Sequence, residues 1–244
     1  MSNSTLATTE FKCGYVALCG APNVGKSTLL NRLVAERVAI TSPKPQTTRH
    51  RLLGVMNTPE AQILFLDTPG IMDPKGLLNE NLVKAALSAL NDADVVVWLV
   101  TPGTPEAERE VLLSHLRHVT TPLIIVINKI DTIPKPEILP LIKRYHSLIP
   151  EAPVVPITAL LGDGLTNLMG EIITRLPAAP PLYPTDLLTD QTERFLAAEF
   201  IRERVFHHTS QEIPYASAVK IEEFNEEQRP RLVKIRAVIF VERD

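Results

Sequence analysis

The segment Gly20-Ala21-Pro22-Asn23-Val24-Gly25-Lys26-Ser27 reads G-x-x-x-x-G-K-S, a spacing that can cradle phosphate. Its glycines let the backbone approach phosphate oxygens, and successive backbone N–H groups form a concave anion site. A helix opening at the end of the loop adds positive potential from its N-terminus. Lys26 can reach the terminal phosphates and Ser27 can ligate magnesium. Thr28, next in the same turn, is counted with the nucleotide-binding residues. Taken alone the loop specifies a nucleotide's phosphates and leaves the base and the reaction open.

Three further segments narrow the choice. Asp67-Thr68-Pro69-Gly70 follows an apolar run; an Asp at a strand end beside a phosphate loop can hold magnesium, and Gly70 can offer its backbone N–H to a terminal phosphate. In isolation the same residues make an ordinary turn. Asn128-Lys129-Ile130-Asp131 has the form N-K-x-D. The Asp131 carboxylate can accept two hydrogen bonds from guanine, N1–H and the exocyclic amine. Adenine lacks that pair of donors, and unpaired polar groups discriminate by orders of magnitude. The Lys129 stem can lie over the base, and Asn128 can tie its loop to the phosphate loop. Thr158-Ala159-Leu160 can direct a backbone N–H at the guanine carbonyl oxygen. Four such segments in this order, each after an apolar run, describe a guanine-nucleotide-binding domain. Between the first helix and a candidate strand Arg51–Val55 lies the loop Glu36–His50, with Pro43-Lys44-Pro45-Gln46-Thr47-Thr48-Arg49-His50 in it. A threonine there can ligate magnesium when the terminal phosphate is present; Thr48 is preferred, with Thr47 as its rival.

The elements that must position these groups follow from hydrophobic patterning. Cys13–Cys19, Gln62–Leu66, Val95–Val100, Leu123–Ile127 and Val154–Ile157 are near-continuous apolar runs of strand length. Ser27–Val34, Leu78–Leu90, Glu106–His118, Lys135–Ile149 and Leu165–Leu176 have helical spacing. Buried strands alternating with helices predict an α/β fold, a mostly parallel sheet covered on both faces. Ligands of such sheets sit beyond the carboxyl ends of the strands, where all four segments fall.

Pro177-Ala-Ala-Pro180-Pro181-Leu-Tyr-Pro184 interrupts the pattern and reads as a semi-rigid linker. After it, Asp186–His207 reads as one amphipathic helix. Tyr215–Glu222 and Val233–Glu242 alternate as two strands, expected to pair antiparallel. The predicted boundaries are 11–178 for a nucleotide-binding domain, 179–185 for the linker and 186–244 for a smaller α+β unit, thin on its own and expected to be incomplete or to lean on the first domain.

The 244 residues carry a net charge of −3, which leaves no global basic footprint for nucleic acid. Cys13 and Cys19 fall in one short strand, where bridging would distort it; they read as core residues of a reducing compartment. Met1–Glu10 is polar, no apolar run reaches membrane-span length, and the expected location is the cytoplasm, with peripheral membrane association left open. His115 and His118, and His207-His208, lack partners for a metal site and read as solvated helix surface. Glu222-Glu223 and Glu226-Glu227 read as a solvated turn, and Trp98 as core.

The chain resembles the Era family of bacterial GTPases. Gly20–Ser27, Pro45-Gln-Thr-Thr-Arg-His-Arg51, Asp67–Gly70, Leu78-Asn-Glu80, Asn128–Asp131, Glu212-Ile-Pro-Tyr-Ala216 and Val241-Glu-Arg-Asp244 carry the likeness, which covers nearly all of the chain after Phe11. Sister families with a second GTPase domain or a helical insertion do not fit this length. The resemblance implies a P-loop GTPase domain followed by a KH domain, and GTP hydrolysis to GDP and phosphate. It further implies binding to the small ribosomal subunit during its maturation, through the 3′ end of 16S rRNA. A KH domain clamps nucleic acid with a G-x-x-G loop. In the family that loop follows Val-Glu-Arg-Asp, where the given sequence stops, so the expected KH-like unit is partial and its grip on RNA weak. Thr158 stands where the family usually has Ser, which keeps a hydroxyl. Ile71 follows Gly70 where Ras-like switches have glutamine, a feature the family shares.

By this reading Lys26, Thr48 and Gly70 form the catalytic set, Ser27, Thr48 and Asp67 the magnesium set, and intrinsic hydrolysis is slow because Ile71 cannot orient water. Asn23 is a candidate potassium ligand, by resemblance to potassium-activated GTPases, with a loop-shaping role as the alternative. Glu36–His50 and Pro69–Asn81 are expected to order around the terminal phosphate. The alternative functions are a nucleotide-gated RNA- or ribosome-binding module with incidental hydrolysis, and an ATP-using enzyme, against which Asn128–Asp131 argues.

Overall fold

The computed structural model describes residues 10–42, 44, 47–71, 77–209, 213, 215, 217–226 and 232–241, except for the side chains at 77–81 and 85. Pro43, Pro45, Gln46, residues 72–76 of the second expected switch stretch, the Leu78-Asn-Glu80 side chains, Glu212, Pro214, Ala216, Glu227 and Glu242-Arg243-Asp244 therefore lie outside the described residues, as does Met1–Thr9.

Six strands form one sheet in the order β2-β3-β1-β4-β5-β6. They are β1 (Lys12–Gly20), β2 (Leu52–Asn57), β3 (Ala61–Asp67), β4 (Val95–Val100), β5 (Leu123–Ile127) and β6 (Val154–Pro156). All neighbours run parallel except β2 and β3, which form an antiparallel edge. Every residue of β4 is buried, because successive side chains feed opposite faces. Val95, Val97 and Leu99 join a core with Leu29, Leu30, Leu168 and Ile172. Val96, Trp98 and Val100 join another with Leu90, Leu112, Leu113 and Tyr145. The first core packs under α1 (Lys26–Val34) and α5 (Leu165–Arg175); the second packs under α2 (Leu77–Asn91), α3 (Glu106–Leu116) and α4 (Lys135–His146). Trp98 is a core residue, edge-on to Tyr145 at 5.9 Å between ring centroids. Cys13 and Cys19 are buried free thiols, and burial pushes Cys19 up to about 12.

Chain order around the sheet reverses at β1, flanked by β3 and β4. This places the loops after β1, β3, β5 and β6 along one edge of the sheet, where the crevice of a doubly wound fold opens.

The proline-rich stretch runs along the sheet and is bonded to it. Cys13 N–H donates to the Pro177 carbonyl at 3.1 Å and Ala179 N–H to the Phe11 carbonyl at 3.1 Å. The Gln62 side chain, fully buried, accepts from Leu182 N–H at 2.7 Å and Tyr183 N–H at 2.9 Å and donates to the Tyr183 carbonyl at 2.8 Å. Stiff, donor-poor backbone is here satisfied by one glutamine from the edge of β3.

The expected helix Asp186–His207 is shorter at its start: α6 spans Glu193–His208. Thr192 sets that start by accepting from Phe195 N–H at 3.2 Å, the N-cap arrangement, whereas Leu187 N–H turns back to the Pro184 carbonyl at 3.1 Å. After it β7 (Ser217–Glu226) and β8 (Val233–Val241) pair antiparallel. Glu222, Glu223 and Glu226 belong to β7 and not to a turn. Glu222 and Glu223 flank Arg236 of β8 at 3.4 and 3.2 Å, where the register shifts. The pairing of those carboxylates with a cross-strand cation is what makes a run of acidic residues compatible with a strand.

Candidate functional site

The phosphate loop leaves β1 at Gly20 and enters α1 through Gly25, which takes the left-handed conformation at φ 102°. A side chain there would meet the Asn128 amide at 2.4 Å, so only glycine brings the two loops this close. Asn128, buried at the end of β5, donates to the Val24 carbonyl at 2.8 Å and accepts from Lys129 N–H at 2.8 Å and Ala159 N–H at 2.9 Å. One amide thus joins the phosphate loop, the N-K-x-D segment and the loop after β6. Lys129, itself at φ 60°, extends its ammonium to the Asn23 carbonyl at 2.7 Å.

Lys26 is buried on the first turn of α1 and curls back over the loop, donating to the carbonyls of Gly20 at 3.2 Å and Ala21 at 3.0 Å. Burial holds its ammonium below the ordinary lysine value, partly offset by Asp67 and Cys19. Ser27 donates to Asp67 Oδ2 at 2.6 Å. Thr48 Oγ1 stands 3.0 Å from Ser27 Oγ and 3.4 Å from the same Asp67 oxygen. Thr47 turns the other way and donates to the Lys44 carbonyl at 2.9 Å. Burial pushes the Asp67 carboxyl above its usual range, against the pull of Lys26, Ser27, Thr48 and the Thr68 backbone. Its Oδ1 is buried without a partner among the described residues.

Two hydroxyls and a carboxylate with a spare lone-pair oxygen make a hard-oxygen set that suits a magnesium-sized cation completed by phosphate and water oxygens. The set contains one carboxylate, and no group of three or more His, Cys, Asp or Glu side chains that could hold a metal occurs among the described residues. Behind it, Thr68 donates to the Leu18 carbonyl at 2.8 Å. Gly70 packs where a side chain would strike Pro22 at 2.8 Å. Ile71 N–H donates to the Gly20 carbonyl at 3.1 Å and its side chain is fully buried, so it presents nothing polar to the cleft.

Of these residues Lys26, Ser27, Thr48, Gly70 and Lys129 line a cleft of about 550 Å³, with Pro22, Asn23, Gly25, Thr28, Thr47, Leu160, Ile40–Ser42 and His207, while Asp67 and Asn128 are buried outside that lining. Asp131 lies on the single 3-10 turn Ile130–Thr132 that opens directly from Lys129. It is exposed and outside the lining of that cleft. The N–H groups of Thr158 and Ala159 are engaged by the Asp163 carbonyl at 3.0 Å and by Asn128, which leaves Leu160 as the residue of that loop that faces the cleft.

The structure adds residues that sequence reasoning missed. His207, read as solvated surface, is exposed but borders the cleft, its Nε2 3.3 Å from the Thr41 carbonyl. Next to it on α6, Arg202 and Glu203 are buried and reach the loop that carries Thr48. Helical spacing marks this face as apolar through Phe195, Ala198, Ile201 and Val205. Nothing in that spacing distinguishes Arg202 and Glu203 from solvated charges, because the loop they bond is distant in sequence.

A family model described as 50S ribosome-binding GTPase matches residues 15–129. GTPase Era of Geobacter metallireducens is 46% identical over 235 residues, covering 96% of this chain and 79% of that protein. Two solved structures superpose with a TM-score of 0.90 over 96% of this chain and 80% of theirs. One, 44% identical, is Era in complex with MgGDPNP and nucleotides 1506–1542 of 16S ribosomal RNA. The other, 43% identical, is a single-residue variant of Aquifex aeolicus Era bound to GDP.AlF4-. The phosphate loop, the oxygen cluster and the asparagine tie are thus those of a P-loop GTPase with a KH-like unit behind it, and the chain belongs to the Era family of GTPases.

Proposed function

We propose that this chain binds GTP and magnesium, hydrolyses GTP to GDP and phosphate, and uses the two states as a switch in small ribosomal subunit assembly at the 3′ end of 16S rRNA. The observation that carries the nucleotide part is the gathering of Ser27, Thr48 and Asp67 beside buried Lys26. The relatives' complexes with MgGDPNP and an rRNA fragment support the choice of ligands. We divide the chain as 11–178 for GTP, 179–185 as connector and 186–244 as the RNA-directed unit, and place its work in the cytoplasm; among the described residues no helix is long and apolar enough to cross a membrane.

Lys26 exchanges its loop carbonyls for the β- and γ-phosphate oxygens, where its charge opposes the charge that grows in transfer. Magnesium, held by Ser27, Thr48 and Asp67, neutralises the same oxygens. The Gly70 N–H marks the terminal phosphate, and Asp131 with Lys129 and the backbone at Leu160 selects guanine. Ile71 supplies no hydrogen bond to the attacking water, so turnover is slow without a further cation or partner. Asn23 is our candidate for a potassium ligand.

Competition between GTP and ATP tests the nucleotide assignment: preference for GTP by about two orders of magnitude or more is expected, and preference for ATP overturns it. Turnover in potassium against sodium, for native and Asn23→Ala, tests the cation: equal rates throughout remove it. Stimulation of turnover by small subunits tests the switch, and its absence despite nucleotide-dependent binding favours a gated binding module in which hydrolysis is incidental.

A further inference from the structure

The segment that carries Thr48 is held from outside the nucleotide-binding sheet. Arg202 Nη2 donates to the Thr47 carbonyl at 2.6 Å, and its guanidinium is fixed by two bonds to Glu199 at 2.8 and 2.6 Å. Glu203, the next residue of α6, accepts from Thr41 N–H at 2.9 Å and from Arg37 at 2.5 Å. Between these two anchors Lys44 donates to the Phe206 and Thr209 carbonyls at the end of α6. That is the helix end whose unsatisfied carbonyls attract a cation. Beyond them Arg49 donates to the Tyr215 and Ser217 carbonyls at 2.8 and 3.0 Å. Adjacent buried charges on one helix therefore grip the loop at Thr41 and at Thr47, on either side of the residues that lead to Thr48.

We infer that Arg202 and Glu203 are positioning residues for the nucleotide site: α6 holds the loop so that the Thr48 hydroxyl stands on the Ser27–Asp67 pair before a cation arrives. The inference rests on the reading of Ser27, Thr48 and Asp67 as the magnesium set. The bond to Thr47 is to its carbonyl, one peptide unit from Thr48, so the fork fixes the plane from which the Thr48 side chain departs. Without the two anchors the loop must be ordered by the cation and terminal phosphate themselves, and their apparent affinity falls by the cost of that ordering. GDP does not call on Thr48, so its affinity is independent of the anchors. By reciprocity, filling the site with magnesium and a triphosphate tightens α6 onto the loop by the same factor.

The test is a magnesium titration of binding by a fluorescent non-hydrolysable GTP analogue, with GDP affinity and thermal melting measured on the same preparations. Native protein, Arg202→Met, Glu203→Ala, Glu203→Gln, Thr48→Ala and the double variant Arg202→Met/Thr48→Ala are compared. The magnesium midpoint is expected to rise about tenfold in Arg202→Met and Glu203→Ala, with GDP affinity within about twofold of native. Glu203→Gln keeps the acceptor for Thr41 N–H and is expected to hold the midpoint close to native. In the Thr48→Ala background Arg202→Met adds nothing. Unchanged midpoints in both single variants, while Thr48→Ala shifts, overturn the inference and leave the site intact. Parallel loss of GDP affinity also overturns it, since α6 would then only support the fold. If Arg202→Met fails to fold, the Glu203→Ala and Glu203→Gln pair decides. A native protein whose triphosphate binding ignores magnesium, or that does not bind the analogue, sinks the magnesium site itself.

Discussion

At the end of the cleft that we assign to the phosphates, Lys26 and Thr48, with Asp67 outside the lining, are buried and bonded to one another or to backbone. At the end we assign to the base, Lys129 and Leu160 line the cleft and stand exposed, Leu160 to 72%, and Asp131 is exposed beyond that lining. The contrast follows from what each end has to do. Phosphates carry concentrated charge, and a charge is attracted most where water has been removed beforehand. Both Lys26 and Asp67 are held against their desolvation, one below and one above its ordinary value, so a ligand that supplies the missing counter-charges recovers that cost. A base is nearly neutral and is chosen by hydrogen-bond pattern, for which an accessible carboxylate on a short turn suffices. Affinity is therefore expected to reside at the buried end and selectivity at the open one.

The largest effect that this contrast predicts is at Lys26. Lys26→Met keeps the bulk of the stem and removes the charge; it should lower affinity for GTP by about 2–5 kcal/mol, roughly 1.5 to 3.5 orders of magnitude, with the ratio of GTP to xanthosine triphosphate affinity unchanged. Equilibrium titration with both nucleotides reads the two quantities together. Asp131→Asn should do the reverse. It exchanges an acceptor for a donor and moves preference toward xanthosine triphosphate, by about 10- to 100-fold. That is the lower range for a lost polar match, because the carboxylate is exposed. Unchanged guanine selectivity would break the division between the two ends.

How much of this the sequence disclosed differs in the same way. The strands were legible because burial on both faces leaves a continuous apolar run: Val95–Val100 and Leu123–Ile127 are found at the expected bounds. The phosphate loop, Asp67 and Asn128 were legible because their spacing is fixed by local backbone geometry. Thr48 was preferred with Thr47 as a close rival, since two adjacent hydroxyls point oppositely and only tertiary contacts orient them; the structure brings Thr48 to Ser27 and turns Thr47 to Lys44. Arg202, Glu203 and His207 were out of reach because they meet the site across more than 150 residues of chain. In a single helix, charged residues on an otherwise apolar stripe look like its solvated margin. The glutamates of β7 misled for a related reason: acidic pairs favour turns locally, and the Arg236 that permits a strand sits on the other arm of the hairpin.

The tie between the two ends can be strained directly. Gly25→Ala places a methyl group 2.4 Å from the Asn128 amide at a φ of 102°. Asn128 can turn aside only by giving up one of its bonds to Val24, Lys129 or Ala159. The expected loss is about 1–2 kcal/mol of stability, read as a fall in melting temperature of roughly 2–8 °C for a protein of this size. Because Asn128 serves both loops, GTP and GDP affinities should fall together. A loss confined to the triphosphate would mean that the amide acts only where the terminal phosphate sits.

The smallest effect is a pH dependence, and it isolates the cost held in the buried end. Burial holds Lys26 below the ordinary lysine value of 10.5. In the folded protein it therefore releases its proton at a lower pH than in the unfolded chain. Between those two values the unfolded state binds more protons, so stability rises with pH. The contribution is present above pH 10.5 and is lost as pH falls through the folded value, where the ammonium is charged in both states and its desolvation is felt in full. Asp67 runs the opposite way: its raised carboxyl contributes stability below the ordinary carboxylate value of 3.8 that is lost as pH rises through its folded value. Urea unfolding of nucleotide-free native protein and Lys26→Met should give stability curves whose difference climbs toward the alkaline end, up to the ordinary lysine value of 10.5. The climb should vanish when GDP and phosphate are present at saturation, because the bound anions restore the charged lysine. A difference curve that is flat throughout would mean that Lys26 carries no desolvation cost, and that the affinity assigned to the buried end must come from the backbone N–H groups of the loop.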